Sequence, residues 1–131
     1  MELVTNEEID LLFIQESWLR KCDGATLAEI KEYGYSIITE RKTRKFDRGG
    51  GVALIYKNKI QLKKIKCKQY PSFESLTVTL QSVANAPVFT NLYYPGYSAK
   101  HKFTKQAFIE DFCNLWENDL ENCNNKIFGR F

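Results

Sequence analysis

A succession of short apolar runs, none longer than a strand and each closed by polar or glycine-containing residues, constrains this chain more than any other feature. Asp10 to Gln15 (DLLFIQ) is apolar and brief, the pattern of a strand covered on both faces. Tyr35 to Glu40 (YSIITE) and Val52 to Tyr56 (VALIY) read as further strands. Phe73 to Leu80 (FESLTVTL) alternates with period two, so Leu76, Val78 and Leu80 point one way and Ser75, Thr77 and Thr79 the other. Pro87 to Tyr94 (PVFTNLYY) is stopped by Pro95 and Gly96. Two helical patterns separate these runs. A short one covers Ala25 to Glu32, capped by Asp23 and ended at Gly34. The long one, Phe103 to Leu120, carries Phe108, Phe112, Leu115, Trp116 and Leu120 as an apolar stripe. Lys126 to Phe131 (KIFGRF) opens a last strand that reads as interrupted. The order predicts an α/β (α+β) fold, a sheet packed by helices and one half of a two-layer sandwich with apolar faces left uncovered.

With 131 residues and 44% hydrophobic content the chain is long enough for one real core. No repeat or linker divides it. No apolar run approaches bilayer length, and the acidic first residues lack a signal-peptide core. The expectation is an intracellular protein, in cytoplasm or nucleus, with no membrane partner. Cys22, Cys67, Cys113 and Cys123 form no CxxC pair, which suits reduced thiols rather than a zinc site or disulfide framework.

The net charge of +3 says little, but its distribution is uneven. Arg41, Lys42, Arg44, Lys45 and Arg48 crowd one segment, and Lys57, Lys59, Lys63, Lys64, Lys66 and Lys68 the next. Such a stripe fits a phosphate backbone or, equally, a solvated sheet edge guarded by lysines. Glu16 directly follows the first buried run, at the strand end where sheet proteins place ligands, and a carboxylate there suits a hard cation. Taken alone it is also an ordinary loop carboxylate or a charge at a helix start. Tyr93 stands near the end of another strand, where it either meets a phosphate oxygen or packs at a rim.

Taken together, five segments resemble the endonuclease/exonuclease/phosphatase superfamily, and specifically the apurinic-endonuclease-like domain of non-LTR (LINE-type) retrotransposon polyproteins. IQESWL (14–19) is similar to that family's QET/TETWL element, and RGGGVALIY (48–56) to its glycine-rich hairpin strand. SFESLTVTL (72–80) resembles its FE-x-L-x-V strand, and NLYYPG (91–96) its Y-R-P-P segment. KIFGRF (126–131) falls where IIxGDFN is expected. The resemblance implies a partial DNase I-like two-layer β-sandwich flanked by helices. It further implies Glu16 as the metal ligand for Mg²⁺ or Mn²⁺, polarising the scissile phosphate, and Tyr93 as the group that touches that phosphate. Glu74 matches an acidic position that supports a later histidine in some members, although a glutamate at a strand start is commonly just solvated. Arg44, Lys45 and Arg48 are candidates for DNA contact by place and charge. Gly49, Gly50 and Gly51 serve the turn, and the lone His101 flanks the long helix.

Departures from the pattern carry consequences. Residues 1–131 read as an incomplete domain, lacking the family's first strand and its C-terminal half, with a reverse transcriptase domain expected downstream. Arg130 occupies the expected Asp position. A guanidinium in place of an anion about 4 Å from a cation exchanges attraction for repulsion of roughly 4 kcal/mol at an effective dielectric near 20. Loss of the general base removes a further factor of about 10² to 10⁴. The chain is therefore expected to bind metal weakly or not at all and to be inactive by itself. Two alternatives stand beside this one: a non-catalytic basic nucleic-acid-binding module, and a phosphoesterase of the same superfamily acting on a lipid or inositol phosphate.

Overall fold

The computed structural model describes residues 9–15, 24–40, 51–81, 83–95, 102–121, 123 and 126–128. Its elements in chain order are β1 (Leu11–Gln15), α1 (Gly24–Glu32), β2 (Tyr35–Glu40), β3 (Val52–Lys57), β4 (Leu62–Lys64), β5 (Glu74–Leu80), β6 (Val88–Tyr93), α2 (Lys105–Asn114) and β7 (Lys126–Phe128). The strands form two sheets. One has the order β1-β3-β2 and is antiparallel throughout. The other has the order β4-β5-β6-β7, with β7 joining β6 in parallel after the chain has crossed over through α2.

β3 is central because its sequence can be covered on both faces. Val52, Ala53 and Leu54 are fully buried and Ile55 nearly so. Val52 and Leu54 meet Leu76 and Val78 of β5, with Phe13, Ile38 and Phe89 closing the layer between the sheets. Each such side chain contributes about 1.5–3 kcal/mol through burial. Ile55 points to the other face and packs with Ile30 and Tyr35 beneath α1. The chain thus holds strands of both sheets, and their inner faces cover each other. This corrects the expectation of one uncovered half of a sandwich: the period-two pattern of FESLTVTL gives each strand an inner face but does not name the sheet opposite.

α1 ends as its sequence dictates, on Gly34 at φ +85°, a left-handed conformation that glycine adopts without strain. α2 is two residues shorter at its start than the apolar stripe suggests, because Thr104 is the cap, its side chain accepting from the Ala107 N–H at 3.2 Å. Its far end widens into a π-helical turn, Leu115–Asp119, with the Leu120 N–H reaching the Leu115 carbonyl at 3.1 Å. That five-residue step brings Leu115 and Leu120, both fully buried, onto the same face of the helix. They join Tyr70, Phe73, Val88 and Leu92 in the outer core of the second sheet. An aromatic series from Tyr70 through Phe73, Phe108 and Phe112 to Phe128 lines this layer, with centroids 5.2 to 6.2 Å apart.

Acidic residues from this end of the chain tether the connection between β4 and β5. Asp111 Oδ2 accepts from the Ser72 N–H at 3.2 Å. Asp119 Oδ2 accepts from the Lys68 N–H at 3.0 Å and from the Tyr70 hydroxyl at 3.1 Å. Burial first, and then the Asp119 charge, push the Tyr70 hydroxyl up to about 12. The folded protein holds this proton more tightly than the unfolded chain, whose tyrosines titrate near about 10. The contribution is therefore complete below about pH 10 and is lost as pH rises through about 12. In denaturant titrations, the stability advantage of the wild type over Tyr70→Phe is expected to shrink across that window. An advantage independent of pH there would contradict the Tyr70–Asp119 coupling.

Candidate functional site

At one end of the sandwich β1 and β6 finish while β3 and β5 begin, and buried polar groups converge there between apolar faces. Asn91, on the inner face of β6, is 1% exposed. Its Nδ2 donates to the Ile14 carbonyl of β1 at 3.0 Å and to the Ala53 carbonyl of β3 at 3.3 Å. Gln15, the last residue of β1, donates through Nε2 to Asn91 Oδ1 at 3.4 Å and also to the Leu92 carbonyl. Each bond runs from one sheet to the other.

Glu74 makes a second crossing. It opens β5, is 2% exposed, and its Oε2 accepts from the Gly51 N–H at 2.9 Å. Gly51 immediately precedes β3 and sits at φ +87°, a conformation that a β-carbon disfavours. The glycine thus turns its amide toward the carboxylate. Tyr93 is the Cα partner of Glu74 across the β5–β6 ladder, so both side chains emerge on the same face at the same rim. Tyr93 also packs against the Val52, Leu54, Leu76 and Val78 cluster, which fixes its ring from below.

Of the sequence candidates, Tyr93 and Glu74 are brought together. Glu74 is not the solvated strand-start glutamate that its type suggests: the opposite sheet buries it, and an amide of that sheet binds it. Glu16 directly follows Gln15 in the sequence and lies outside the described residues, as do Arg44, Lys45, Arg48, His101 and Arg130. Sequence reasoning missed Asn91, Gln15 and the pairing role of Gly51. A signal for Asn91 was available, since it shares a strand face with Phe89 and Tyr93, where a lone amide must find partners.

Mg²⁺ seeks near-octahedral oxygen ligands, usually one or two carboxylates with waters. Among the described residues no group of three or more His, Cys, Asp or Glu gathers to hold a metal. Asn91 is committed to two carbonyls and to Gln15, and Glu74 to Gly51. The described residues therefore do not by themselves fit a cation. They form a rigid floor beneath the rim from which the chain continues to Glu16. Among the described residues, no helix is long and apolar enough to cross a membrane.

No protein-family profile and no curated protein matches the chain. Its fold, however, is shared with solved structures. The catalytic domain of human Nocturnin with bound sulfate superposes with a TM-score of 0.54 at 11% identity, over 88% of this chain and 49% of that one. A humanized TDP2 of D. rerio gives 0.61 at 10% identity, over 97% and 49%. An endonuclease/exonuclease/phosphatase family protein from Leptotrichia buccalis gives 0.59 at 14% identity, over 97% and 57%. The chain thus spans about half the length of these structures. At such identities the likeness establishes the fold, and that fold is the DNase I-like α/β sandwich of the endonuclease/exonuclease/phosphatase proteins.

The Glu74–Gly51 bond has a measurable consequence. A charge-assisted bond of this kind is worth about 1.5–3 kcal/mol, and a buried N–H left without an acceptor loses about 1–3 kcal/mol. Glu74→Leu is expected to lower unfolding free energy by about 1–3 kcal/mol, whereas Glu74→Gln, which keeps an acceptor for Gly51, should lose less than half of that. Equal losses in urea denaturation would show that the carboxylate contributes bulk and not a bond.

Proposed function

We propose that this chain forms one side of the active site of a divalent-cation-dependent phosphodiesterase that nicks DNA, as in the endonuclease domain of a non-LTR retroelement, and that the chain alone is catalytically incomplete. The observation that carries this reading is the buried crossing of Gln15 to Asn91 and of Gly51 to Glu74. It locks the end of β1, the residue before Glu16, against the strand that presents Tyr93. A cation-holding carboxylate and a phosphate-touching phenol need such a fixed separation, since misplacement of reacting groups by an ångström is expensive in rate. The endonuclease/exonuclease/phosphatase fold supports the phosphoesterase class. The order of the five sequence segments supports the retroelement branch.

In this reading Glu16 holds Mg²⁺ or Mn²⁺ in the complete domain and Tyr93 contacts the phosphate. Glu74 is a positioning residue that holds the start of β3 against β5. Arg130 stands where an acidic partner is expected, which favours binding over cutting by this chain. Arg44, Lys45 and Arg48 supply phosphate contacts whose strength falls with salt.

Two measurements test this. Supercoiled plasmid incubated with the chain and Mg²⁺ is expected to remain at the background level of nicking. Robust nicking that EDTA abolishes and Glu16→Ala removes would overturn the claim of incompleteness. In fluorescence anisotropy, labelled duplex DNA is expected to bind at low salt and to weaken several-fold with Arg44→Glu/Lys45→Glu. No binding even at low salt would remove DNA as the partner.

A further inference from the structure

Two cysteines distant in sequence come to the same core. Cys67 lies in the connection between β4 and β5, and Cys123 lies between the end of α2 and β7. Both are half-buried free thiols, and both pack against the cluster of Tyr70, Phe73, Val88, Leu92, Leu115 and Leu120 on the outer face of the second sheet.

Hydrogen bonds hold the two connections against each other. Beside Cys67, the Lys68 N–H donates to Asp119 Oδ2 at 3.0 Å. Just after Asp119 the chain turns, and the Cys123 N–H donates to the Leu120 carbonyl at 3.1 Å. On the other side of Cys67, the Ile65 N–H reaches the Thr77 carbonyl at 2.8 Å. The Cys67 thiol itself bonds the Thr77 side chain, whose hydroxyl pairs with Thr90 of β6 at 3.0 Å. Cys67 is thus drawn over the face of β5 and β6 that α2 and the turn after it cover.

Burial pushes the Cys67 thiol up, the Thr77 bond offsets part of that rise, and Asp119 and then Cys123 add to it. The two sulfurs are therefore close enough to feel each other's charge. Two thiols and a carboxylate could also ligate a metal, but among the described residues no group of three or more His, Cys, Asp or Glu gathers to hold one. Neighbouring thiols without a third ligand are suited to oxidation as a pair.

We propose that Cys67 and Cys123 are a redox modification site, a thiol pair that peroxide closes to a disulfide joining the β4–β5 connection to the α2–β7 connection. The thiolate of one cysteine attacks a peroxide oxygen, the O–O bond breaks, and a sulfenic acid and one water result. The second sulfur then attacks the first, the S–O bond breaks, and a second water leaves. Two electrons pass to the peroxide, and both thiol protons end in water. Both attacks need a thiolate, and Cys67 holds its proton at neutral pH, so closure quickens as pH rises. The bridge constrains the unfolded chain and stabilises the fold where Asp119 otherwise holds it by hydrogen bonds alone. The site is independent of the phosphodiesterase reading.

The test uses the full chain, reduced, exposed to hydrogen peroxide, alkylated with iodoacetamide and mapped as unreduced peptides. In the folded monomer the Cys67–Cys123 bridge is expected in at least tenfold excess over any other pairing of the four cysteines. That preference is lost when the oxidation is run in urea. The bridge forms faster in alkaline than in neutral buffer, and it raises the urea midpoint by an amount that dithiothreitol reverses. Cys22→Ser/Cys113→Ser, which leaves this pair alone, keeps the bridge and the midpoint shift. Oxidation that stops at sulfinic acid, or that yields only intermolecular disulfides through Cys22 or Cys113, would overturn the proposal. So would a folded chain with no more preference for this pairing than the chain in urea. Zinc that protects both thiols of the reduced chain from iodoacetamide at one ion per chain would make the pair a metal site instead.

Discussion

Two apolar sheet faces attract each other without direction, so burial alone leaves the sandwich free to slide or rotate. The Asn91 amide removes that freedom. Its donors reach carbonyls on two different strands of the opposite sheet, β1 and β3, and its acceptor is taken by Gln15. Hydrogen bonds weaken steeply with distance and angle, so they tolerate little slippage. In a low-dielectric layer an unsatisfied amide is costly, and the satisfied one selects a single registration of the sheets. Glu74 repeats the device one strand over, at Gly51. The relative placement of β1, β3, β5 and β6 at the rim follows from these crossings, and so does the position of any group the rim presents.

The second helix does for the outer face what the polar crossings do for the inner one. Its aromatic side chains cover the sheet, while Asp111 and Asp119 take hold of the main chain between β4 and β5. The acidic residues late in the sequence are therefore not merely a solvated face. Two of them anchor the connection between β4 and β5.

Fold and function are separate questions here. The sandwich is that of the endonuclease/exonuclease/phosphatase proteins, but one fold hosts many substrates. What distinguishes a cutting domain from a binding one is the charge set around a few atoms. In the reading proposed above, an arginine at a position expected to be acidic would change that set. A scaffold can therefore keep its geometry after its chemistry has been lost, since packing and catalysis are held by different residues.

Much of the fold was legible in the chain itself. Runs such as VALIY and FESLTVTL carry their own periodicity, Gly34 carries its own stop signal, and the stripe from Phe108 to Leu120 carries its own face. These are local properties, set by backbone sterics and by the spacing of apolar residues. The rim was only partly legible. Tyr93 and Glu74 were found through their place in a pattern of segments, but their adjacency depends on β5–β6 register. Glu74 looked like a solvated strand start because nothing nearby in sequence says that Gly51, 23 residues earlier, will bury it. Asn91 reaches partners 77 and 38 residues away, and the π-helical turn at Leu115 is dictated by the core it must fill. Local order in the chain dictates which strands and helices form and which face of each is apolar. Which buried polar group meets which emerges only on folding, because those bonds join residues whose proximity arises when the two sheets close on each other.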